Sequence, residues 1–325
     1  MMTDTVGLGE FGRIARYFRP LSSGAAGALN LEDDAALLTS PGQGAYAVTV
    51  DTLTEGVHFV GNEPPVLIAR KAMRVNLSDL AGMGARPVGY FLALSLPPKI
   101  DDGWVEAFAT GLEADQSEFG WSLLGGDSTS AENRVTVTIT AMGEVAPEAA
   151  LRRSAGRVGD SIFVSGTIGD AALGLGVAQG RFFETAATAS LLDRYRLPQP
   201  RIDLGLAMAG VAHAGMDISD GLVADLRHLC NASKVGARIQ AADIPLSDAA
   251  ATLIADDPAL FTEAITGGDD YELLLCGPPD AIKDAATACG TPVRCIGTIV
   301  DEPGIAVLDR DGVPMSFTRE GYRHG

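Results

Sequence analysis

Cations are scarce in this chain: 24 lysines and arginines stand against 42 aspartates and glutamates, a formal net charge of −18 at pH 7. A nucleic-acid groove draws most of its affinity from Lys and Arg meeting phosphates, so nucleic acid is excluded as a partner. Aromatic residues make up only 6%, which argues against a base-stacking platform as well. The four cysteines (Cys230, Cys276, Cys289 and Cys295) include no C-x-x-C pair. Neither a zinc ribbon nor a thioredoxin-type site is therefore expected, and the thiols read as free in a reducing compartment. No apolar run approaches the ~20 residues of a membrane span. The N-terminus shows no basic segment followed by an apolar stretch. The expected location is the cytoplasm, with no membrane partner. The P-loop pattern, HExxH, GxSxG and the protein-kinase set are all missing. Gly7–Gly12 matches G-x-G-x-x-G literally, but no strand is expected before it, so the match reads as chance.

What is present is enough apolar sequence for real cores. The 325 residues, 46% of them hydrophobic, suit two domains of ordinary size. Strands are expected at Ala45–Asp51, Val88–Leu96, Trp121–Leu124 and Arg134–Val145. A helix opens at Pro64-Pro65 and runs to about Gly84, and another is capped by Asp101. A short helix is expected near Phe11–Phe18. The stretch Ala146–Gly159 is polar and basic and reads as a linker. Beyond it, strands are expected at Ser161–Ser165, Met216–Ile218, Tyr271–Cys276 and Val293–Ile299. Helices are expected near Ala171–Gln179, Thr188–Tyr195, Arg201–Ala214, Asp220–Ala232 and Pro279–Cys289. This alternation predicts an α/β (α+β) fold of two domains, residues 1–148 and 149–325.

Six short segments each set aspartate among small residues. They are Glu32-Asp33-Asp34, Thr49-Val50-Asp51-Thr52, Asn76-Leu77-Ser78-Asp79, Gly125-Gly126-Asp127-Ser128, Asp217-Ile218-Ser219-Asp220 and Gly267-Gly268-Asp269-Asp270. Scattered carboxylates of this kind suit convergence on Mg²⁺ ions that hold a polyphosphate, because Mg²⁺ takes hard oxygen ligands and shares them with substrate phosphates. Each segment also has a plainer reading. Thr49 and Asp51 share one face of a strand, and a loop cap explains them equally well. Asn76 and Asp79 share one face of an apolar helix and, taken alone, fit solvent exposure. Gly125-Gly126 suits a tight turn. Ser219 or Asp220 suits a helix cap at a terminus that also favours anions. Arg153 fits a phosphate-binding fork or a solvated linker arginine. His58 fits a substrate contact or an idle loop histidine.

In order along the chain, Gly9-Glu10-Phe11, Asp33-Asp34-Ala35, Asp51-Thr52-Leu53, His58-Phe59, Asn76–Ala81, Gly125-Gly126-Asp127, Asp217–Leu222 and Gly268–Leu273 closely resemble the thiamine-monophosphate kinase family. That family sits within the aminoimidazole ribonucleotide synthetase-like superfamily. The resemblance implies a two-domain fold, a homodimer formed by pairing of N-terminal sheets, and transfer of phosphate from ATP to thiamine monophosphate. It places Asp34, Thr49, Val50 (through its carbonyl), Asp51, Asp79, Asp127, Asp217 and Asp220 around several Mg²⁺ ions. It places Gly126, Asp127, Arg153 and Ser219 on ATP, and His58, Asp269 and Tyr322 on the thiamine phosphate. It implies no catalytic general base. Three positions depart from the family pattern: Glu32 replaces a glycine, Asp269 replaces a glutamate, and the tail reads Gly321-Tyr322-Arg323-His324-Gly325. Aminoimidazole ribonucleotide synthetase chemistry, and a silent nucleotide- and Mg²⁺-binding protein, stay open beside the kinase.

Overall fold

The computed structural model describes residues 26–39 and 44–317, with Ala15, Arg19 and Gly321 besides. Tyr322, and all but Ala15 of the helix expected near Phe11–Phe18, lie outside the described residues.

Five strands form the first sheet: β1 (Ala36–Thr39), β2 (Ala45–Thr54), β3 (Arg86–Leu96), β4 (Ser122–Ser130) and β5 (Thr136–Val145), in the order β1-β2-β5-β3-β4. All pairs are antiparallel except β3–β4, which is parallel. Parallel neighbours need a crossover, and α2 (Asp102–Phe119) supplies it. The Asp101 carboxylate accepts the Trp104 N–H at 2.9 Å and caps this helix, as expected. Alternation along β2 buries Ala45, Ala47 and Leu53 and leaves Val50 60% exposed. The tight turn expected at Gly125-Gly126-Asp127 is absent. Instead β4 runs through all three residues beside β3. A Cβ at Gly126 would lie 1.9 Å from the Leu92 carbonyl oxygen, so this glycine permits close strand approach.

The helix opened by the prolines is α1 (Pro65–Gly82). It packs on β2 and β5, beside α2, and also against the second half of the molecule. Because it is enclosed on both sides, its polar residues are buried too: Lys71, Arg74, Asn76 and Ser78 are each 3% exposed or less. The solvent-exposed reading of Asn76 is thereby overturned.

The second sheet has the order β11-β8-β10-β6-β9-β7. Its strands are β6 (Ser161–Ser165), β7 (Ala214–Ile218), β8 (Gly236–Gln240), β9 (Glu272–Gly277), β10 (Val293–Val300) and β11 (Gly304–Leu308). Only β8–β11 is parallel. The helices of this half are α3 (Asp170–Ala178), α4 (Ala189–Arg196), α5 (Ile202–Met208), α6 (Leu222–Ser233), α7 (Asp248–Asp256), α8 (Leu260–Thr266) and α9 (Pro279–Cys289). Leu222, Leu226 and Leu229 of α6 cover one face with Ile162 and Val164. Leu204 and Met208 of α5 and Ile282 of α9 cover the other with Phe163 and Leu273. Every residue of β7 and β9 is consequently buried.

The segment expected as a free linker is docked. Leu151 is 1% exposed, and a short 3₁₀ turn, Arg153–Ala155, packs on α6 and β7. No helix among the described residues is long and apolar enough to cross a membrane.

Candidate active site

The buried junction between the two sheets collects the acids. From α1 come Ser78, Asp79 and Gly82, from β2 Thr49 and Asp51, from the end of β7 Asp217, and from the loop before β1 Asp34. One carboxylate oxygen from each of Asp34, Asp79 and Asp217 lies within 4.8 Å of the others. Thr49 Oγ1 donates to Asp79 Oδ2. Ser78 Oγ donates to Asp217 Oδ2 at 2.7 Å. Arg153 pairs with Asp34 Oδ1 through its guanidinium, and its backbone N–H donates to Asp33 Oδ1 at 2.8 Å.

Electrostatics in this pocket are unfavourable to the bare chain. Burial pushes the Asp217 carboxyl up to about 8, with the Asp34 charge adding to it. Burial first, then the charges of Asp51, Asp217 and Asp34, hold Asp79 well above the usual carboxylate range. Asp34 is raised by burial although Arg153 opposes the shift. Clustered buried carboxylates that cannot all ionise cheaply are what a bound cation would relieve. Asp34 Oδ2 is buried and accepts no hydrogen bond. A Cβ at Gly82 would stand 2.6 Å from that oxygen and 3.0 Å from the Asp217 nitrogen, so only glycine leaves room there. An all-oxygen donor set with an unsatisfied carboxylate oxygen fits Mg²⁺.

A second group adjoins the first. One ligand atom from each of Asp220, Asp225 and His228 lies within 4.8 Å of the others. Asp225 Oδ2 accepts N–H groups from Ser219, Asp220 and Gly221 at 3.0, 3.0 and 3.1 Å, and so shapes the turn that presents Ser219 and Asp220. Burial lowers the His228 imidazole to about 4, helped by the Arg153 and Arg227 charges. That keeps the ring neutral. Asp225 was not singled out from the sequence. An acid among the apolar residues Leu222, Val223 and Leu226 of one helix was the signal for it.

Across the pocket, His58 Nδ1 accepts the Thr54 N–H at 3.0 Å. Asp269 stands on the loop before β9, where its N–H donates to the Ser219 carbonyl at 2.8 Å. Lys71 Nζ reaches both segments, 3.2 Å from the His58 carbonyl oxygen and 2.9 Å from Asp269 Oδ2. Two expected positions, Asp127 and Gly126, lie elsewhere. The Val50 side chain lies on the open face of the sheet, and the group expected of it is its backbone carbonyl. Asp127 is exposed on β4, where its Oδ1 accepts the Ser128 N–H. In register it follows Ala93, Thr138 and Thr52, one step out of phase with the Asp51 row, and so faces the opposite side. Gly126 shares that edge strand.

This fold, with acids gathered between two α/β halves, defines an AIR synthase related protein. Models of that family's N-terminal and C-terminal domains match residues 32–145 and 157–310. The thiamine-monophosphate kinase of Salmonella typhimurium is 41% identical over 323 residues, 97% of this chain and 98% of the relative. That of Caulobacter vibrioides is 40% identical over 97% of this chain and 91% of its own length. The structure of AaThiL complexed with AMPPCP and TMP aligns with TM-score 0.86 at 29% identity, covering 98% of this chain and 97% of that one. The chain belongs to the thiamine-monophosphate kinase family. More distant structures of the hydrogenase maturation protein HypE, at 18% identity and TM-score 0.70, share the fold.

Proposed function

We infer that this chain transfers the γ-phosphoryl group of ATP to thiamine monophosphate, giving ADP and thiamine diphosphate. The observation that carries this reading is the acid cluster of half-buried Asp34 and Asp79 and buried Asp217, in a chain matched over nearly its whole length by kinases of that name. The AaThiL neighbour was solved with AMPPCP and TMP together, which supports a site that takes both substrates at once.

The acceptor needs no base. Its phosphate has a second pKa of roughly 6 and is mostly dianionic at neutral pH, so one of its oxygens attacks the γ-phosphorus directly while the bond to ADP breaks. The difficulty is repulsion between two polyanions inside an acidic pocket. Asp34, Asp51, Asp79, Asp217 and Asp220, with Thr49 and the Val50 carbonyl, are the groups that would hold Mg²⁺. When bound, such ions screen the repulsion and stabilise the charge on the transferring group. Arg153 and Ser219 would meet ATP phosphates at the mouth of the β7–α6 turn. His58, Asp269 and Tyr322 would meet the thiamine phosphate.

Purified protein with ATP, Mg²⁺ and thiamine monophosphate is expected to form ADP and thiamine diphosphate in equal amounts, and EDTA is expected to abolish both. ATP binding without thiamine diphosphate formation would reject this reading.

We also propose a homodimer joined through the first sheet. Its open face and its β4 edge expose Val50, Phe91, Leu123 and Leu124, at 60, 43, 47 and 52%, and exposed apolar strand edges seek partners. A second copy there would put Gly126 and Asp127 at the subunit junction, within reach of bound ATP. Leu124→Asp is expected to sediment as a monomer. An unchanged dimer would sink this arrangement, as would a monomeric wild type.

A further inference from the structure

We propose that Lys71 is the positioning residue for the acceptor side of the site. It holds Asp269 and the His58 loop in one fixed arrangement. The proposal rests on the reading that His58 and Asp269 meet the thiamine phosphate.

Lysine is among the residues least often buried, yet this one is 3% exposed, in the middle of α1. Its ammonium has three donors. One meets the His58 carbonyl oxygen at 3.2 Å and one meets Asp269 Oδ2 at 2.9 Å. The ammonium also lies 3.8 Å from the centroid of the Tyr195 ring, in cation–π contact. Lys71 therefore joins α1, the loop after β2, the loop before β9 and helix α4, which come from both halves of the chain.

The loop that carries Asp269 needs such a tie. Asp269 and Tyr271 have φ of 74° and 51°, a left-handed region that non-glycine residues seldom adopt. Conformations of this kind persist only where surrounding contacts over-determine them. The Asp269 and Tyr271 N–H groups donate to Ser219 and Ile218 carbonyls, both at 2.8 Å, and fix the loop's ends. The Asp269 side chain is held by Lys71 on Oδ2 and by the Tyr271 hydroxyl at 3.3 Å on Oδ1.

The test is steady-state kinetics on folded full-length variants, with both substrates titrated. Asp269→Asn is expected to raise KM for thiamine monophosphate. Lys71→Met, similar in length but uncharged, is expected to raise the same KM by about 10-fold or more and leave KM for ATP within about 2-fold. The double variant is expected to be no worse than the poorer single one, because two residues acting as one unit do not add. Lys71→Arg keeps the charge without the compact ammonium geometry. It is expected to raise KM for thiamine monophosphate less than Lys71→Met does, and it carries the test if Lys71→Met does not fold. A merely structural lysine would move both KM values or neither. If Asp269→Asn raises KM and the Lys71 variants do not, or if the two effects add, the positioning role is overturned. If Asp269→Asn itself leaves KM unchanged, the acceptor assignment beneath it falls and the proposal with it.

Discussion

Asp217→Asn is expected to cut turnover by about 100-fold or more and, in the same protein, to stabilise the metal-free chain at pH 8. The kinetic half follows from its place in the cluster. Removing outer-shell partners of metal ligands commonly costs 10- to 100-fold, and Asp217 belongs to the buried donor set itself, with an oxygen within 4.8 Å of those from Asp34 and Asp79. The stability half follows from its titration. Its carboxyl moves from an ordinary 3.8 to about 8 on folding, mainly through burial. Between those values the folded chain binds more protons than the unfolded chain, so stability falls as pH rises from about 4 to about 8. Asparagine cannot ionise and removes that share of the fall. In EDTA, the wild-type melting temperature should therefore drop from pH 5 to pH 8, and the variant's should drop less. Added Mg²⁺ should raise the wild-type value more at pH 8, where the acids are ready to bind it, than at pH 5. Undiminished turnover in a folded variant, or parallel pH curves for the two proteins, would contradict the assignment.

Much of this was legible in the sequence, for identifiable reasons. The strands with clean alternation or continuous apolar runs, β2, β3, β5, β6 and β9, lie where periodicity places them. Pro65 and Asp101 mark helix starts by local chemistry. Four-residue β1, five-residue β8 and the short helices α7 and α8 carry too few residues for a period to show. The helix expected over Arg201–Ala214 stops at Met208 because Gly210 takes φ 73° and turns the chain into β7. Within the site, Asp34, Asp79 and Asp217 were legible as acids among small residues. Their convergence was not, since it depends on how α1 is enclosed between two sheets. Lys71 and Asp225 escaped notice because a single charge on an apolar helix looks like a solvated face until the opposing elements are in place. Asp127 shows the reverse case. Its motif is distinct, yet within one chain it lies on the open side of the sheet.

Glu272→Ala should destabilise the chain by about 3–5 kcal/mol, read as a lowered midpoint in urea unfolding. Glu272 is also a fully buried acid, but its surroundings are the opposite of those at Asp217. Oε1 accepts from Arg194 at 2.7 Å and Arg201 at 2.5 Å, and Oε2 accepts from Arg201 Nε at 2.6 Å and from the Ser165 hydroxyl. Arg194 also donates to the Asp270 carbonyl at 3.1 Å. The carboxylate thus anchors the loop bearing Asp269 to α4, to the start of α5 and to the end of β6. Deleting it strands two guanidiniums that are 17% and 25% exposed, and uncompensated buried charge is what makes one-sided removal costly. Glu272→Gln keeps the shape and part of the hydrogen bonding and should lie between wild type and alanine. A midpoint change worth less than about 1 kcal/mol for Glu272→Ala would show that the arginines find other partners. Two buried acids, one at the junction of the two halves and one within the second half, are thus expected to respond to neutralisation with opposite signs. Arginines already satisfy Glu272, whereas at Asp217 the Ser78 hydroxyl and the Arg153 charge do not offset burial and the Asp34 charge, and the carboxyl stays raised, as in a site that must take up a cation.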